Sequence, residues 1–303
     1  MTPINSMPSW QAPRTPSGTQ TAIRFQALGQ TVQVHCTDAA VARVVVANFA
    51  ALPAAAPHAR TDLAYEAGTA PQGSGYLLHR AGREPLAAAS LCELLFDLEK
   101  DLIIALQWRR PELLHLHAAA LEYAGQAWLL AGDSGAGKST TTWGLLHQGF
   151  RYLSDELSPV DLESLCVHAY PHALCLKRRP PATWRFPEEQ LVDLGRTLHV
   201  PVAALPGGTA ATGPSPLAGL LFVRHDPALR EPALRPLHPA EAGARLYVTT
   251  LNALAHARHG MDAVVGLAKS IPCWTLAAAD LGATCALVEE LARGLQPAQR
   301  ACG

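Results

Sequence analysis

Eight residues in the middle of the chain have the types and spacing of a phosphate-binding loop. Residues 132–139 follow the pattern G-x-x-x-x-G-K-S, with Lys138 and Ser139 at its end. Glycines let such a loop turn tightly, so that several backbone N–H groups converge at the N-terminus of the following helix. The lysine reaches the β- and γ-phosphates, and the serine hydroxyl binds Mg²⁺. The predicted nucleotide contacts are Gly132, Asp133, Ser134, Gly135, Ala136, Gly137, Lys138, Ser139 and Thr140.

A pair of carboxylates, Asp155 and Glu156, follows the apolar segment 150–154. A phosphoryl-transfer site needs one carboxylate to hold Mg²⁺ and often a second to accept the hydroxyl proton. Adjacent side chains at a strand end point in different directions, so the pair can divide these roles. A solvated acidic turn is the alternative. The position of the pair, after a P-loop, a helix and a returning strand, favours the catalytic interpretation.

Two histidines and three basic residues are further candidates. His115 and His117 are two positions apart, which predicts that they share one face of a strand. Zinc is one possibility, but a third ligand is not evident, and hydrogen-bonded structural histidines are the alternative. Lys177 and Arg178 follow a predicted strand and are candidate phosphate or substrate contacts, and so is Arg224. A solvated loop rim or a surface ion pair would explain them equally simply.

The segments before the P-loop predict that an unusual arrangement of strands leads into it. Segment 126–131 is a predicted strand, and 140–146 is a predicted helix that ends near Gly149. Segment 114–121 is a predicted preceding strand, joined to 126–131 by a hairpin turn at 123–125. An antiparallel hairpin that leads into a P-loop differs from the parallel entry of common P-loop folds.

The remaining patterns predict a leader, a small region and a larger domain. Residues 1–20 are predicted to be a disordered leader, 21–110 a small α+β region, and 111–300 the P-loop domain. Strands are predicted at 21–25, 31–36, 75–79, 150–153, 157–160, 166–170, 173–176, 217–223 and 273–276, and helices at 38–49, 85–108, 239–256, 261–269 and 281–294. Segment 178–216 is rich in Pro, Gly and Arg and is predicted to be a long excursion.

Composition excludes several classes of function. The chain has 303 residues, 49% of them hydrophobic, and a formal net charge of −1, which argues against a nucleic-acid binder driven by basicity. We predict no membrane span and no secretory signal. The seven cysteines contain no C-x-x-C pair. That pattern predicts free thiols and a cytoplasmic location.

The order of these features resembles the core of bacterial HPr kinase/phosphorylase. His117 lies fifteen positions before Gly132, and G-D-S-G-x-G-K-S, Gly149 and the acidic pair follow. The resemblance implies an HPr-kinase/phosphoenolpyruvate-carboxykinase-like α/β domain with a mixed, largely antiparallel sheet. It also implies catalytic roles for Asp155, His117 and Lys138, with Asp155 as the base that His117 orients. Ser139 and Glu156 are then the predicted metal ligands.

The chain differs from the family pattern in three respects. Glu156 stands where the family usually has Asp, an L-E-I-R-G-x-G segment after the pair is absent, and the N-terminal region differs. Neither HPr as substrate nor phosphorolysis is therefore expected. The chain more closely resembles the shorter HPr-kinase-related proteins, some of which accompany clusters for ribosomally made peptides such as lasso peptides. The segments 170–177, 222–224 and 271–276 are similar to that group.

The leading hypothesis is an ATP- and Mg²⁺-dependent kinase for a Ser hydroxyl on a peptide or small protein, such as a lasso precursor. One alternative is a kinase for a free small molecule. The other is a nucleotide-binding scaffold or switch with little turnover. The predicted partner is the peptide or small-protein substrate, with no nucleic acid and no membrane, and a homo-oligomer stays open.

Overall fold

A computed structural model of the protein describes residues 21–71, 73–181, 184–207, 211, 213–295 and 302. Within these residues the chain forms a mixed α/β fold with six α-helices and three β-sheets. The predicted leader, 1–20, lies outside the described residues. No helix in the described part is long and apolar enough to cross a membrane. The predicted division at residues 110 and 111 stays a prediction.

The first sheet lies in the N-terminal region and has five strands in chain order. They are β1 Thr21–Ala27, β2 Gln30–Cys36, β3 Leu63–Thr69, β4 Tyr76–Arg80 and β5 Leu86–Ala88. Only the β2–β3 pair is parallel among them. The predicted first two strands and the strand near 75–79 are confirmed. β3 and β5 were not predicted: β3 pairs with β2 across a long connection, and β5 has only three residues, too few to show an alternating pattern.

Two helices accompany this sheet, α1 Ala39–Phe49 and α2 Leu91–Arg109. The Asp38 carboxylate accepts hydrogen bonds from the first amides of α1, and the Ser90 hydroxyl accepts one from Glu93 of α2. The helix predicted from residue 85 starts six positions later, because β5 pairs with β4 before the chain reaches its cap. The prediction for α1 is confirmed.

The central sheet carries the P-loop. Its strands are β6 Leu114–Leu116, β7 Ala118–Tyr123, β8 Gln126–Ala131, β9 Arg151–Ser154, β10 Ser158–Asp161, β11 Cys166–Val167, β15 Ser215–His225, β16 Ala233–Pro236 and β17 Cys273–Ala278. A small third sheet contains β12 Leu174–Leu176, β13 Val192–Asp193 and β14 Leu198–Val200. The remaining helices are α3 Lys138–Leu146, α4 Pro239–Thr249, α5 Met261–Ser270 and α6 Leu281–Gly294.

The predicted hairpin before the P-loop is confirmed. β7 and β8 pair antiparallel, and Ala124 and Gly125 turn between them with φ of 51° and 81°. β8 is parallel to β15, which is parallel to β17. The remaining five described pairs of the central sheet are also antiparallel. The predicted mixed, largely antiparallel pairing is therefore observed.

Several predicted boundaries are wrong. The single strand expected over 114–121 is interrupted at His117, whose N–H donates to the carbonyl of Thr249 instead of to a strand. The helix expected over 239–256 ends at Thr249, and short 3₁₀ turns follow. The excursion at 178–216 contains β13 and β14, which extend β12 into a sheet. β16, paired with β17, was missed.

The expectation of seven free thiols is also wrong. Cys166 and Cys302 form a disulfide whose Cα atoms are 6.2 Å apart. The two residues are 136 positions apart in the sequence, so their spacing gave no signal. The other five are free cysteines: Cys36, Cys92, Cys175, Cys273 and Cys285.

Two residues that follow the acidic pair belong to the apolar core of the N-terminal region. Leu157 and Tyr170, which follow the acidic pair in the sequence, are buried in the same cluster as Phe25, Phe49 and Leu102. The segment after the acidic pair is therefore packed against the N-terminal region. This packing fixes the backbone immediately downstream of Asp155 and Glu156.

Candidate functional site

The P-loop connects β8 to α3, and two of its glycines have conformations that other residues rarely adopt. Gly132 has a φ of 149°, and a Cβ there would lie 2.6 Å from the backbone carbonyl oxygen of Val223. Gly137 has a φ of 98° and is the N-cap of α3. The motif glycines are thus required by backbone geometry and by the close approach of β15.

The loop presents unused backbone donors. Within the described residues, the amides of Ser134, Gly135 and Gly137 donate no hydrogen bond, and no side chain caps α3. The amides of the first helical turn have no intrahelical acceptor. N–H groups at the positive end of a helix dipole form an anion site. The loop therefore has the donors that a phosphate group needs.

Lys138 is buried, with only 6% of its surface exposed. Its Nζ donates to the carbonyl oxygens of Gly132 at 2.7 Å and Asp133 at 3.3 Å. It also lies 3.4 Å from Nε2 of His117. An ammonium only donates, so Nε2 accepts and the proton of a neutral His117 is on Nδ1. Nδ1 lies 3.2 Å from Oε2 of Glu156. Lys138, His117 and Glu156 therefore form one connected chain.

Asp155 is fully buried and contacts Ser139, at the start of α3. Its Oδ2 accepts a hydrogen bond of 2.8 Å from the Ser139 hydroxyl, and its Oδ1 has no hydrogen-bond partner. Burial, and then the charge of Glu156, raise the pKa of Asp155 to about 6. A buried carboxylate oxygen that accepts no hydrogen bond is stabilised when a cation binds to it. Asp155 and Ser139 therefore supply oxygen ligands of the kind Mg²⁺ prefers.

Glu156 differs from Asp155 in exposure and in backbone conformation. Its side chain is 43% exposed, and it lines a cavity of about 670 Å³ together with His117, Lys138 and Ser139. Its φ is 68°, which is unusual for a residue with a side chain. The turn is closed by the amide of Leu157, which donates to the Asp155 carbonyl at 2.8 Å. Such strained residues cluster at functional sites.

His172 holds the same carbonyl and was not singled out in the sequence. Its Nε2 lies 2.5 Å from the carbonyl oxygen of Asp155 and donates to it, while its Nδ1 lies 3.7 Å from Oε1 of Glu99 on α2. Burial raises the pKa of Glu99, which also accepts a 2.6 Å hydrogen bond from the Asn48 amide. These residues come from three distant segments, so no local motif could have identified them.

His115 does not join the site. Its side chain is fully buried, and Nε2 lies 3.0 Å from the carbonyl of Arg110, to which it donates. Burial lowers the pKa of His115 to about 4. The expected shared strand face with His117 is wrong, because the strand breaks between them. The described residues contain no group of three or more His, Cys, Asp or Glu that could hold a metal ion.

The predicted basic contacts are divided between two cavities. Lys177 donates to the Ser134 hydroxyl of the P-loop at 2.6 Å, and Lys177 and Arg178 line the cavity that contains Glu156. Thr140 lines it too. Arg224 lines a different cavity, of about 530 Å³, on the side of Gly132 and Asp133. The structure therefore places Lys177 and Arg178 beside the loop donors, and Arg224 apart from them.

Comparison with known proteins gives little further information. No family model matches the chain, and no curated protein matches it. Among solved structures it is similar to the HPr(Ser) kinase/phosphatase from Coxiella burnetii. The identity is 14%, the match covers 59% of this chain and 94% of that one, and the TM-score is 0.31.

Proposed function

We propose that the protein is an ATP- and Mg²⁺-dependent phosphotransferase that moves the γ-phosphoryl group to a hydroxyl, a Ser on a peptide or small protein. One observation carries the proposal. The two adjacent carboxylates contact opposite halves of one P-loop site, Asp155 through Ser139 and Glu156 through His117 and Lys138. The motif order that resembles HPr kinases supports the same activity and the same kind of α/β domain.

Phosphate binding is assigned to the loop amides and to Lys138. The Nζ of Lys138 now donates to two loop carbonyls, at Gly132 and Asp133. A triphosphate would replace these neutral acceptors with charged ones, which form stronger hydrogen bonds. Lys177, held on Ser134, adds a second cation at the loop rim.

The contacts favour an exchange of the carboxylate roles that the sequence suggested. Ser139 and Asp155 would hold Mg²⁺, since the serine hydroxyl already bonds to Oδ2 and Oδ1 has no donor. Bound Mg²⁺ would neutralise the charge that develops on the phosphate oxygens. Glu156, which the sequence assigned to the metal, is the exposed carboxylate and is accessible to an acceptor.

Glu156 is accordingly proposed as the general base. It takes the proton of the acceptor hydroxyl as the acceptor oxygen bonds to the γ-phosphorus. The bond from that phosphorus to the β–γ bridging oxygen breaks, and ADP leaves with the electron pair. The Nδ1–H of His117 holds the Glu156 carboxylate in place, and Lys138 fixes that tautomer of His117.

The test is to incubate the protein with γ-labelled ATP, Mg²⁺ and two separate acceptor pools, Ser-containing peptides and cell-extract metabolites. Label transferred to peptides, with phosphoserine identified by mass spectrometry, supports the proposal. Label transferred to metabolites alone supports the small-molecule kinase. Bound ATP with no phosphorylated product in either pool supports the scaffold or switch and contradicts the proposed activity.

A further inference from the structure

A second cavity lies beside the P-loop, at the carboxyl ends of β8 and β15. It has a volume of about 530 Å³, and Gly132, Arg224, Arg235, Arg245 and Thr249 are among the residues that line it. β8 and β15 are parallel neighbours. Ligands of open α/β sheets bind in the crevice outside the carboxyl ends of such strands. The position of the cavity is therefore one where a substrate is expected.

Three guanidinium groups give this cavity its charge. Arg235 and Arg245 both donate to Oε1 of Glu241, at 3.1 Å and 2.8 Å. Arg245 also lies over the ring of Phe222, 5.6 Å from its centroid. The backbone of Arg224 is paired in the sheet, but its guanidinium makes no hydrogen bond or ion pair with any residue in the described part of the chain.

The arginines outnumber the carboxylates and keep unused donors. Glu241 pairs with two of the three guanidinium groups but does not itself line the cavity, and the exposed Asp133 is the one carboxylate among the described lining residues. Each guanidinium has five N–H donors in a planar fork that matches a carboxylate. One shared carboxylate oxygen uses only a small part of these donors. The cavity is therefore suited to an anionic ligand.

The second cavity adjoins the cavity of about 670 Å³ that Lys138 and Glu156 line, called the phosphate cavity below, because neighbouring residues of the P-loop line the two. Lys138, which lines the phosphate cavity, donates to the carbonyl of Gly132, which lines the second one. The amide of His117 donates at 2.7 Å to the carbonyl of Thr249, which also lines the second cavity. A ligand in the second cavity would therefore contact residues that are hydrogen-bonded to the proposed catalytic groups.

An apolar surface continues from the cavity along the end of α4. Val248 lines the cavity and is 80% exposed, and Leu251 and Leu254 follow it at 41% and 83%. Exposed apolar residues beside a charged cavity fit a ligand longer than a metabolite. We propose that this cavity binds an acidic segment of the acceptor peptide, whose carboxylates pair with Arg224, Arg235 and Arg245, while the Ser hydroxyl of the same peptide reaches Glu156 in the neighbouring cavity. The inference rests on the proposed function.

The test measures binding without nucleotide, so it does not depend on transfer. Two fluorescein-labelled Ser peptides, identical except for three Glu residues in one and three Gln residues in the other, are titrated with the full chain by anisotropy. The Glu peptide should bind at least tenfold more tightly, and raised salt should weaken it. Arg224→Gln, at an exposed side chain, should weaken it about tenfold, and so should Arg245→Gln. Arg293→Gln, at an exposed arginine paired with Glu289 on α6, is the matched control and should have no effect.

Equal affinity for the two peptides, or unchanged affinity in both arginine variants, would overturn the inference. Competition by free serine at the same site without competition by unlabelled Glu peptide would overturn the peptide assignment. A normal difference between the peptides together with no phosphorylation would contradict the proposed function and leave the binding site supported. Phosphorylation of both peptides at equal kcat/KM would support the proposed function and contradict the acidic-peptide site.

Discussion

At the scale of single residues, the informative feature is the difference between two adjacent carboxylates. The sequence predicts that Asp155 and Glu156 act together, because their position after the P-loop helix is a local pattern. It does not predict which one is exposed. Burial is decided by packing: Asp155 is fully buried, and Glu156 opens to the cavity. The sequence-based role assignment therefore differs from the one that the contacts favour.

The first prediction separates these roles. Glu156→Gln should lower kcat by about 10²-fold or more, because a positioned base contributes about 10²–10⁴-fold, while ATP·Mg²⁺ binding should be retained. Asp155→Asn should mainly raise the Mg²⁺ concentration needed for half-maximal activity. Transfer rates over a Mg²⁺ series, with nucleotide affinity measured by calorimetry, check both. Full transfer activity in Glu156→Gln would contradict its assignment as the base.

The second prediction concerns His172 as a positioning residue. His172→Phe removes the donor to the Asp155 carbonyl, so the acidic turn should shift and kcat should fall roughly 10-fold to 100-fold. The KM for ATP should change little, since His172 does not line the phosphate cavity. His172→Gln keeps an N–H donor and should recover part of the rate. Equal loss of kcat in both variants, at unchanged thermal stability, would argue against this role.

At the scale of elements, prediction succeeds where the pattern is local. The β7–β8 hairpin, α1 with its Asp38 cap, and α6 follow from turn, cap and periodicity signals within a few residues. β3 and β16 depend on partners elsewhere in the chain, and the break at His117 depends on Thr249 of α4. These features are determined by tertiary contacts, which the local hydrophobic pattern of the sequence does not reveal.

The third prediction concerns the packing of β15. A Cβ at Gly219 would lie 2.8 Å from ring atoms of both Trp128 and Trp274. Gly219→Ala should therefore lower the free energy of unfolding by about 1–3 kcal/mol through overpacking. Gly266→Ala on α5 has open space around its Cβ and is the matched control, expected to be neutral or stabilising by up to about 1 kcal/mol. Denaturant unfolding measures both. Similar stability of the two variants would contradict this account of β15.

At the scale of the whole molecule, the N-terminal region is part of the support of the site. Its core includes Leu157 and Tyr170, and its helices supply Asn48 and Glu99 next to His172. The sequence assigned this region no part in the site, because the link is made by buried side chains far apart in the chain. The disulfide between Cys166 and Cys302 is another long-range link of this kind.

The fourth prediction is a loss of stability in mild acid. Burial lowers the pKa values of His115 and His199 from 6.5 to about 4. The unfolded chain therefore takes up protons before the folded one, so stability falls as pH drops from about 6.5 to 4. Each histidine contributes on the order of 3 kcal/mol over that range.

Chemical denaturation at several pH values measures this loss. His115→Gln should flatten the pH dependence, whereas His58→Gln, at an exposed histidine, should leave it unchanged. Equal pH slopes in the wild type and in His115→Gln would show that His115 is not the source of the acid sensitivity.

A crystal structure with Mg²⁺ and a non-hydrolysable ATP analogue would test most directly whether the P-loop binds the phosphates and how Asp155 and Glu156 divide their roles. We expect the β- and γ-phosphates to lie on the amides of residues 134–140, and Lys138 to bind the phosphates instead of the loop carbonyls. Mg²⁺ would lie against Ser139 and Asp155, and the Glu156 carboxylate would face the terminal phosphorus. An analogue bound away from the loop would contradict phosphate binding by the P-loop. A Glu156 carboxylate turned away from that phosphorus would contradict its role as the base.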